Sequence, residues 1–447
     1  ATSKKWRSDR RLQGKEREQQ LRQVLERLGV GLEYFERSAE KAGHCRWAGI
    51  TCGIGCVVTR LSLNRGLDGI RSDLDGNIDG LAVLPELTDL SLTSVNLSGS
   101  LQDLQPLKEI RNLVLHGSEV TGSLQDLQFL KKIRELNLHS SHITGNLPDL
   151  EPFKDIRDLI LHSGEITGSL KDLQHLKELR HLELHSREIT GSLPDLQSFE
   201  KIRHLILHSS EITGSLQDLQ PLKELFEVQL HSSQIAGALQ DLQPLEGIRD
   251  VILYSSEIIG SLQDLRPFKE MLELILHGSK ITGALPDLQD LREIQDLILH
   301  SREITGSLKD LQHLKELQHL ELHSTLITGG LMDLPQRQQS ISHWNPYRGL
   351  QTLVLYSNGI SGSLSALRTM ESIKKLVLRS SYINGTLEPL RWMSDLEVLC
   401  LYSEEIAGSL SHLGRVMQQL RGLDLVGTSV DSALIALKGN KVVREEC

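Results

Sequence analysis

Glycine returns every 23 residues along most of this chain. It stands at Gly99, Gly122, Gly145, Gly168, Gly191, Gly214, Gly237, Gly260, Gly283, Gly306 and Gly329, and again at Gly362, Gly385 and Gly408. The text around each glycine is almost constant, as in GSLQDLQPLKEIRNLVLHGSEVT from Gly99 to Thr121. A segment this short cannot bury its own apolar face, so neighbouring copies must stack into one continuous core. The 447 residues therefore need not divide into the about three domains that length alone suggests. Aromatics are only 4%, and an aliphatic core suits near-identical layers.

One copy shows how the stack is built. Leu159 and Leu161 flank Ile160, a period of two that marks a short strand. The leucines point into the core, while Asp158, Ile160 and His162 point to the other face. Ile166 and Leu170 fill the next turn from inside, and Gly168 permits the bend between them. Asp172 then precedes LQHLKEL on the convex side. Aspartate recurs there eleven times, from Asp103 to Asp333, and capping of free amides accounts for the column without a metal. Leucines at fixed offsets in a period of this length are the mark of a leucine-rich repeat. Paired core positions from Leu61/Leu63 to Leu423/Leu425 give sixteen strands. At about 4.8 Å per strand the sheet extends for roughly 70 Å. The expected fold is an α/β-type solenoid, a horseshoe or superhelix with about 16 short parallel strands on the concave face and irregular or 3-10 segments on the convex side.

The repeat text is itself duplicated. GSLKDLQHLKELRHLELHSREIT at Gly168 returns nearly unchanged at Gly306, six repeats later. Residues 1–44 read as a basic arm and N-terminal helical cap, and 45–59 as a cysteine-containing cap. The solenoid covers 60–430, with a ten-residue insert within 335–349, and 431–447 form a C-terminal cap.

The segment CRWAGITC, Cys45 to Cys52, followed by VVTRLSL, resembles the N-terminal cap of plant-type leucine-rich-repeat proteins. That class includes receptor-kinase ectodomains and secreted inhibitors of cell-wall-degrading enzymes. The resemblance covers the cap and the array. It implies a Cys45–Cys52 disulfide, Trp47 packed on the first coil, and a non-enzymatic recognition module in an oxidising compartment. The chain departs from the pattern in three ways. The repeat is one residue shorter than the usual plant form. The proline after Gly-x-[Ile/Leu] appears only sometimes, as at Pro148, Pro194 and Pro286. The inward asparagine between coils is replaced, mainly by serine, at Ser118, Ser141, Ser210, Ser233, Ser256, Ser279 and Ser381; Asn358 alone retains it. Arg187, Arg302 and Glu404 share that slot and require it to open toward solvent there. No kinase-like segment is present.

Charge and cysteines bound the function. Net charge is −10, and the basic first 27 residues leave a strongly acidic body. That argues against nucleic acid on the repeat surface. No apolar run reaches the roughly 18 residues of a membrane span. The first 25 residues lack a signal-peptide core, as expected of a processed form or of a chain that never had one. Five cysteines leave at least one unpaired within the chain, and Cys400, between Leu399 and Leu401, is expected on the exposed sheet. Asn96 and Asn384 lie in sequons that accept glycans in a secreted protein. The compartment is expected to be extracellular or luminal, with an intracellular or organelle assembly as the alternative.

Histidine occupies one position of successive strands: His116, His139, His162, His185, His208 and His231, then His277, His300 and His323, with Tyr254, Tyr356, Arg379 and Tyr402 elsewhere in the column. Three readings compete: a solvent-tolerant residue copied by duplication, a recognition stripe for an acidic or aromatic partner, and metal binding at His181, Glu183, His185, His204 and His208. Residues two apart on a strand are nearly 7 Å apart, so only cross-strand pairs such as His185 and His208 are expected to share an ion, and no metal or other cofactor is assigned. Between the strand leucines, Ile160, Ile206, Val114, Ile252, Ile275, Ile298, Val354 and Val377 are expected to face solvent and to serve a protein interface. The insert QRQQSISHWNPYRG brings Trp344 and Tyr347, natural interface anchors, into an aromatic-poor chain. No phosphate loop, nucleophile elbow or HExxH helix is found. The expected function is non-enzymatic recognition or scaffolding of a protein or peptide. The alternative is a structural subunit of a larger assembly, docked by the N-terminal helix and the 335–349 loop.

Overall fold

A computed structural model describes residues 2–30, 44–64, 75–93, 96–117, 119–278, 280–335 and 349–431, with side chains of the first helix from residue 15 onward. The chain forms two compact units, residues 1–214 and 215–447. In the first unit, parallel strands run from Val58–Asn64 through Asp89–Thr93, Asn112–His116, Glu135–His139, Asp158–His162 and His181–His185 to His204–His208. The short strand Ile50–Cys52 pairs antiparallel with the first of them. In the second unit, nine parallel strands run from Glu227–His231 to Gly422–Asp424. These are the sixteen leucine strands that the spacing predicts. The register follows from burial: Leu182 pairs with Leu159 and Leu205, all fully buried, and a slip by one residue would carry both leucines of a strand to the polar face.

A second parallel ladder, not anticipated from sequence, forms where the text reads Ile-Thr-Gly-Ser. Glu165–Ser169 pairs with Ile143–Asn146 on one side and Ile189–Ser192 on the other. Ile and Thr favour extended backbone, and Thr167 Oγ1 donates to Gly145 O of the preceding coil at 3.3 Å. Gly168 sits in this strand at φ +121°, and a Cβ there would come within 2.6 Å of Asn146 Oδ1. Only glycine meets both demands. The chain then enters a one-turn 3-10 helix, Leu170–Leu173, where Asp172 Oδ2 accepts the Ser169 amide at 2.8 Å and Ser169 Oγ accepts the Lys171 amide. The aspartates from Asp103 to Asp333 make the same bond, so the expected cap is present.

The polar seam between coils lies one residue earlier than expected. Ser140, Ser163, Ser186 and Ser209 are buried in the first unit, and Ser255, Ser301, Ser324, Ser357, Ser380 and Ser403 in the second. Each donates to a carbonyl of the preceding coil, as Ser163 does to Ile143 O at 2.6 Å, and most also accept the amide two residues on. Ser141, Ser210, Ser233, Ser256, Ser381, Asn358, Arg187, Arg302 and Glu404 are exposed, which corrects the expected inward slot. Ser118 and Ser279 lie outside the described residues. The reason is strand alternation: Leu136, Leu138 and Ser140 all point inward.

The helix Thr2–Arg27 covers the start of the stack. Leu21, Val24, Leu25 and Leu28 are buried, and Arg27 O accepts the Asn77 amide at 2.9 Å. Cys45 and Cys52 are joined, with their Cα atoms 5.4 Å apart. Trp47 is 2% exposed beneath the Arg22 guanidinium. Among the described residues no helix is long and apolar enough to cross a membrane.

Candidate functional site

Each five-residue strand turns its second and fourth residues into the core and its first, third and fifth outward, so the outer face of each sheet carries three columns. In the second unit the first column reads Glu227, Asp250, Glu273 and Asp296 on successive strands. Neighbouring strands lie about 4.8 Å apart, so four carboxylates stand in file. Burial pushes Glu273 up, and Asp296, Asp250 and Glu227 add repulsion, taking it to about 7. In the first unit burial raises Glu135, with Asp158 and Asp89 adding to it. This column keeps the same 23-residue spacing as the histidines, but acids at strand starts carry no motif that marks them among the candidate residues of the sequence. A shallow cleft of about 300 Å³ opens beside its C-terminal end, lined by Glu273, Ile275, Asp296, Ile298, His319, Glu321 and Thr352.

The fifth-position column is a stack of rings. In the first unit His162 and His185 have centroids 3.8 Å apart, and His185 and His208 lie 3.9 Å apart with planes at 22°. In the second, His231, Tyr254 and His277 follow one another at 4.0 and 4.1 Å, and His300, His323 and Tyr356 at 3.8 and 4.0 Å. Arg379 lies over Tyr356 and Tyr402. Aromatic contacts of this kind contribute about 0.5–1.5 kcal/mol each. Burial pushes His277 down to about 4, with His300 adding to the shift.

The middle column corrects an expectation. Ile206 is 8% exposed, Ile252 6%, Val354 2% and Val377 1%, and Tyr356 and Tyr402 of the outer column pack against the two valines. Ile160, Val114 and Ile298 are half-buried. Cys400, expected on the exposed sheet, is fully buried with Val354, Val377 and Val398 against Tyr356 and Tyr402, and it is disulfide-bonded. Cys56 is an exposed free thiol.

At two strands the middle residue is glutamate, and there the structure departs from the i, i+2 distance argument. Glu183 Oε1 is 2.7 Å from His162 Nε2 and 3.0 Å from His185 Nε2, and His181 Nε2 stands 3.5 Å from Oε2. Glu321 Oε1 is 2.7 Å from His300 Nε2 and 2.9 Å from His323 Nε2. The backbone spacing holds, but the side chains lean together. The three histidines hold the Glu183 carboxyl well below the ordinary carboxylate range. Burial pushes Glu321 up, and the bonds from His300 and His323 outweigh it, leaving this carboxyl also low. The sites thus bring together His162 and His185, but not the full set His181, Glu183, His185, His204 and His208.

Trp344 and Tyr347 lie outside the described residues. Asn96 and Asn384 are exposed.

Neither a protein-family model nor a curated protein sequence matches the chain. Solved structures do. The chain is similar to the leucine-rich-repeat ectodomain of the Arabidopsis receptor kinase HAESA in complex with an IDA peptide hormone ligand: TM-score 0.50, 15% identity, 93% of this chain and 86% of that one covered. It is also similar to PEPR1 in its complex with AtPEP1, with TM-score 0.49 and 21% identity over 93% of this chain. It spans 62% of that chain's length. A leucine-rich-repeat protein of Leptospira interrogans matches with TM-score 0.48 and 18% identity, covering 79% of this chain and 86% of that one. The strand register, the capped coils and the likeness to the HAESA ectodomain together give one conclusion: the chain has the leucine-rich-repeat solenoid fold.

Proposed function

We propose that this protein is a non-enzymatic recognition module that binds a protein or peptide segment through the outer face of its strands, and that the segment is basic. The carboxylate file Glu227, Asp250, Glu273 and Asp296 carries this reading. Asp296, Asp250 and Glu227 raise the proton affinity of Glu273, so the bare face at neutral pH holds repulsion that a cationic ligand relieves. The covered aliphatic row and the ring stack beside it keep the face rigid, which lowers the entropic cost of binding. The HAESA structure contains a peptide hormone ligand; here the likeness contributes the fold, and the charge of the file suggests the ligand. The Cys45–Cys52 disulfide supports an oxidising compartment.

Fluorescence anisotropy with a labelled lysine-rich peptide tests the proposal against a glutamate-rich peptide of equal length. The lysine peptide is expected to bind, to weaken with salt, and to bind at least about tenfold less tightly to an Asp250→Asn, Glu273→Gln, Asp296→Asn variant, a loss of roughly 1.4 kcal/mol or more. Equal binding of both peptides, or an unchanged affinity in the variant, would overturn it.

A further inference from the structure

We propose that the protein carries two zinc-class divalent metal sites, one formed by His162, Glu183 and His185 and the other by His300, Glu321 and His323. In each, two imidazole Nε2 atoms and a carboxylate oxygen lie within 4.8 Å of one another. Two histidines and one glutamate form a donor set that zinc accepts, with a fourth position left open. A tetrahedral zinc at about 2.0–2.2 Å from each donor holds its ligands roughly 3.3 Å apart. The Nε2–Oε1 separations of 2.7 and 3.0 Å, and of 2.7 and 2.9 Å, need open by only about half an ångström to admit the ion.

Three observations separate this from a chance pairing. The donors are half-buried rather than waving in solvent, with side-chain exposures of 21%, 18% and 29% in the first site and 23%, 21% and 31% in the second. The geometry recurs at corresponding positions of two repeats that lie six copies apart in sequence. It is also absent where the middle residue changes. His116 Nε2 makes the equivalent contact to Asn137 Oδ1 at 2.8 Å, a bond that a neutral amide satisfies without supplying an anionic ligand. The middle residue is glutamate only at Glu183 and Glu321 among the described strands of this face. The third His/Cys group, His44 with Cys45 and Cys52, offers no thiolate because its cysteines are joined.

The sites differ in their surroundings. His181 stands on the second oxygen of Glu183. Its counterpart His319 instead faces Asp296 at 3.7 Å and Thr352 Oγ1 at 2.9 Å. The first site therefore has a further imidazole at hand and should bind zinc more tightly than the second.

Zinc titration of chelator-treated full-length protein, followed by calorimetry and metal analysis after desalting, tests the inference. Wild type is expected to take up two zinc ions per chain. Glu183→Gln and Glu321→Gln should each take up one, and the double variant none, with far-ultraviolet circular dichroism unchanged because glutamine keeps the hydrogen-bonding shape. If a glutamine variant fails to fold, His185→Asn and His323→Asn carry the same expectation. Cobalt in place of zinc should give a visible absorption band that is halved in each single variant. The proposal is overturned if wild type shows no saturable zinc uptake, or if the double variant retains both ions.

Discussion

Replacing Ser380 by alanine removes a hydroxyl that donates to Ile360 O at 2.5 Å and accepts the Tyr382 amide at 3.3 Å. The carbonyl and the amide lose that partner, at a cost of about 1–3 kcal/mol. Ser381, its exposed neighbour, should tolerate the same change within about 0.5 kcal/mol. Chemical denaturation of the two variants reads the difference directly, and equal midpoints would contradict the register of the seam. The doublet is instructive about sequence reading. Both serines are small and polar, and aligning the repeat on the plant-type asparagine selects the second. Continuing the alternation of Leu376 and Leu378 selects the first. The same limit hid the convergence of His162, Glu183 and His185: backbone spacing was legible, but the lean of side chains across it was not.

At the scale of one coil, Gly168 and Gly164 form a matched pair. Gly168→Ala places a Cβ at φ +121° and 3.0 Å from Leu147 Cβ, and backbone strain alone costs about 1–3 kcal/mol. Gly164 has no atom within 4 Å of the added carbon, so Gly164→Ala should be neutral or stabilise by about 0.4–1 kcal/mol through the unfolded chain. Thermal unfolding of both should move in opposite directions or, for Gly164, not at all. The strands and caps were readable because leucine period and capping aspartate act within a few residues. The second ladder was not, because it needs the neighbouring coil's Gly145 carbonyl, 22 residues away, to hold Thr167. The covering of Val354 and Val377 likewise depends on Tyr356 and Tyr402 in the adjacent column.

For the whole molecule, the acidic file sets a pH dependence whose sign is fixed. Glu273 titrates near 7 in the folded protein, above the ordinary carboxylate value of about 4.3. The folded state therefore holds more protons than the unfolded one in this window, and stability falls as pH rises from about 4.3 to 7. Asp250 and Asp296 face Glu273 from the neighbouring strands and Glu227 from the next strand beyond Asp250, with His277 further along its own. Glu273→Gln should flatten that fall, measured as the urea midpoint across the window; a steeper fall in the variant would contradict it. By the same proton count, the lysine-rich peptide should bind more tightly at pH 8 than at pH 6, since binding then meets the ionised file.

The file also has a pitch. Its carboxylates repeat about every 4.8 Å, whereas an extended ligand repeats its same-side residues about every 6.6–6.8 Å. The two scales act as a vernier: when one charge of the ligand sits squarely on a carboxylate, the next falls between two. From Glu227 to Asp296 the span is about 14 Å, three steps of the file against two of the ligand, so the outer two acids come within about 1 Å of register with ligand charges four residues apart. The inner acids, Asp250 and Glu273, then share the one ligand charge that falls between them. On the proposed reading, such a face would favour an extended segment with basic residues at every second position, the outer two seated squarely and the middle one shared.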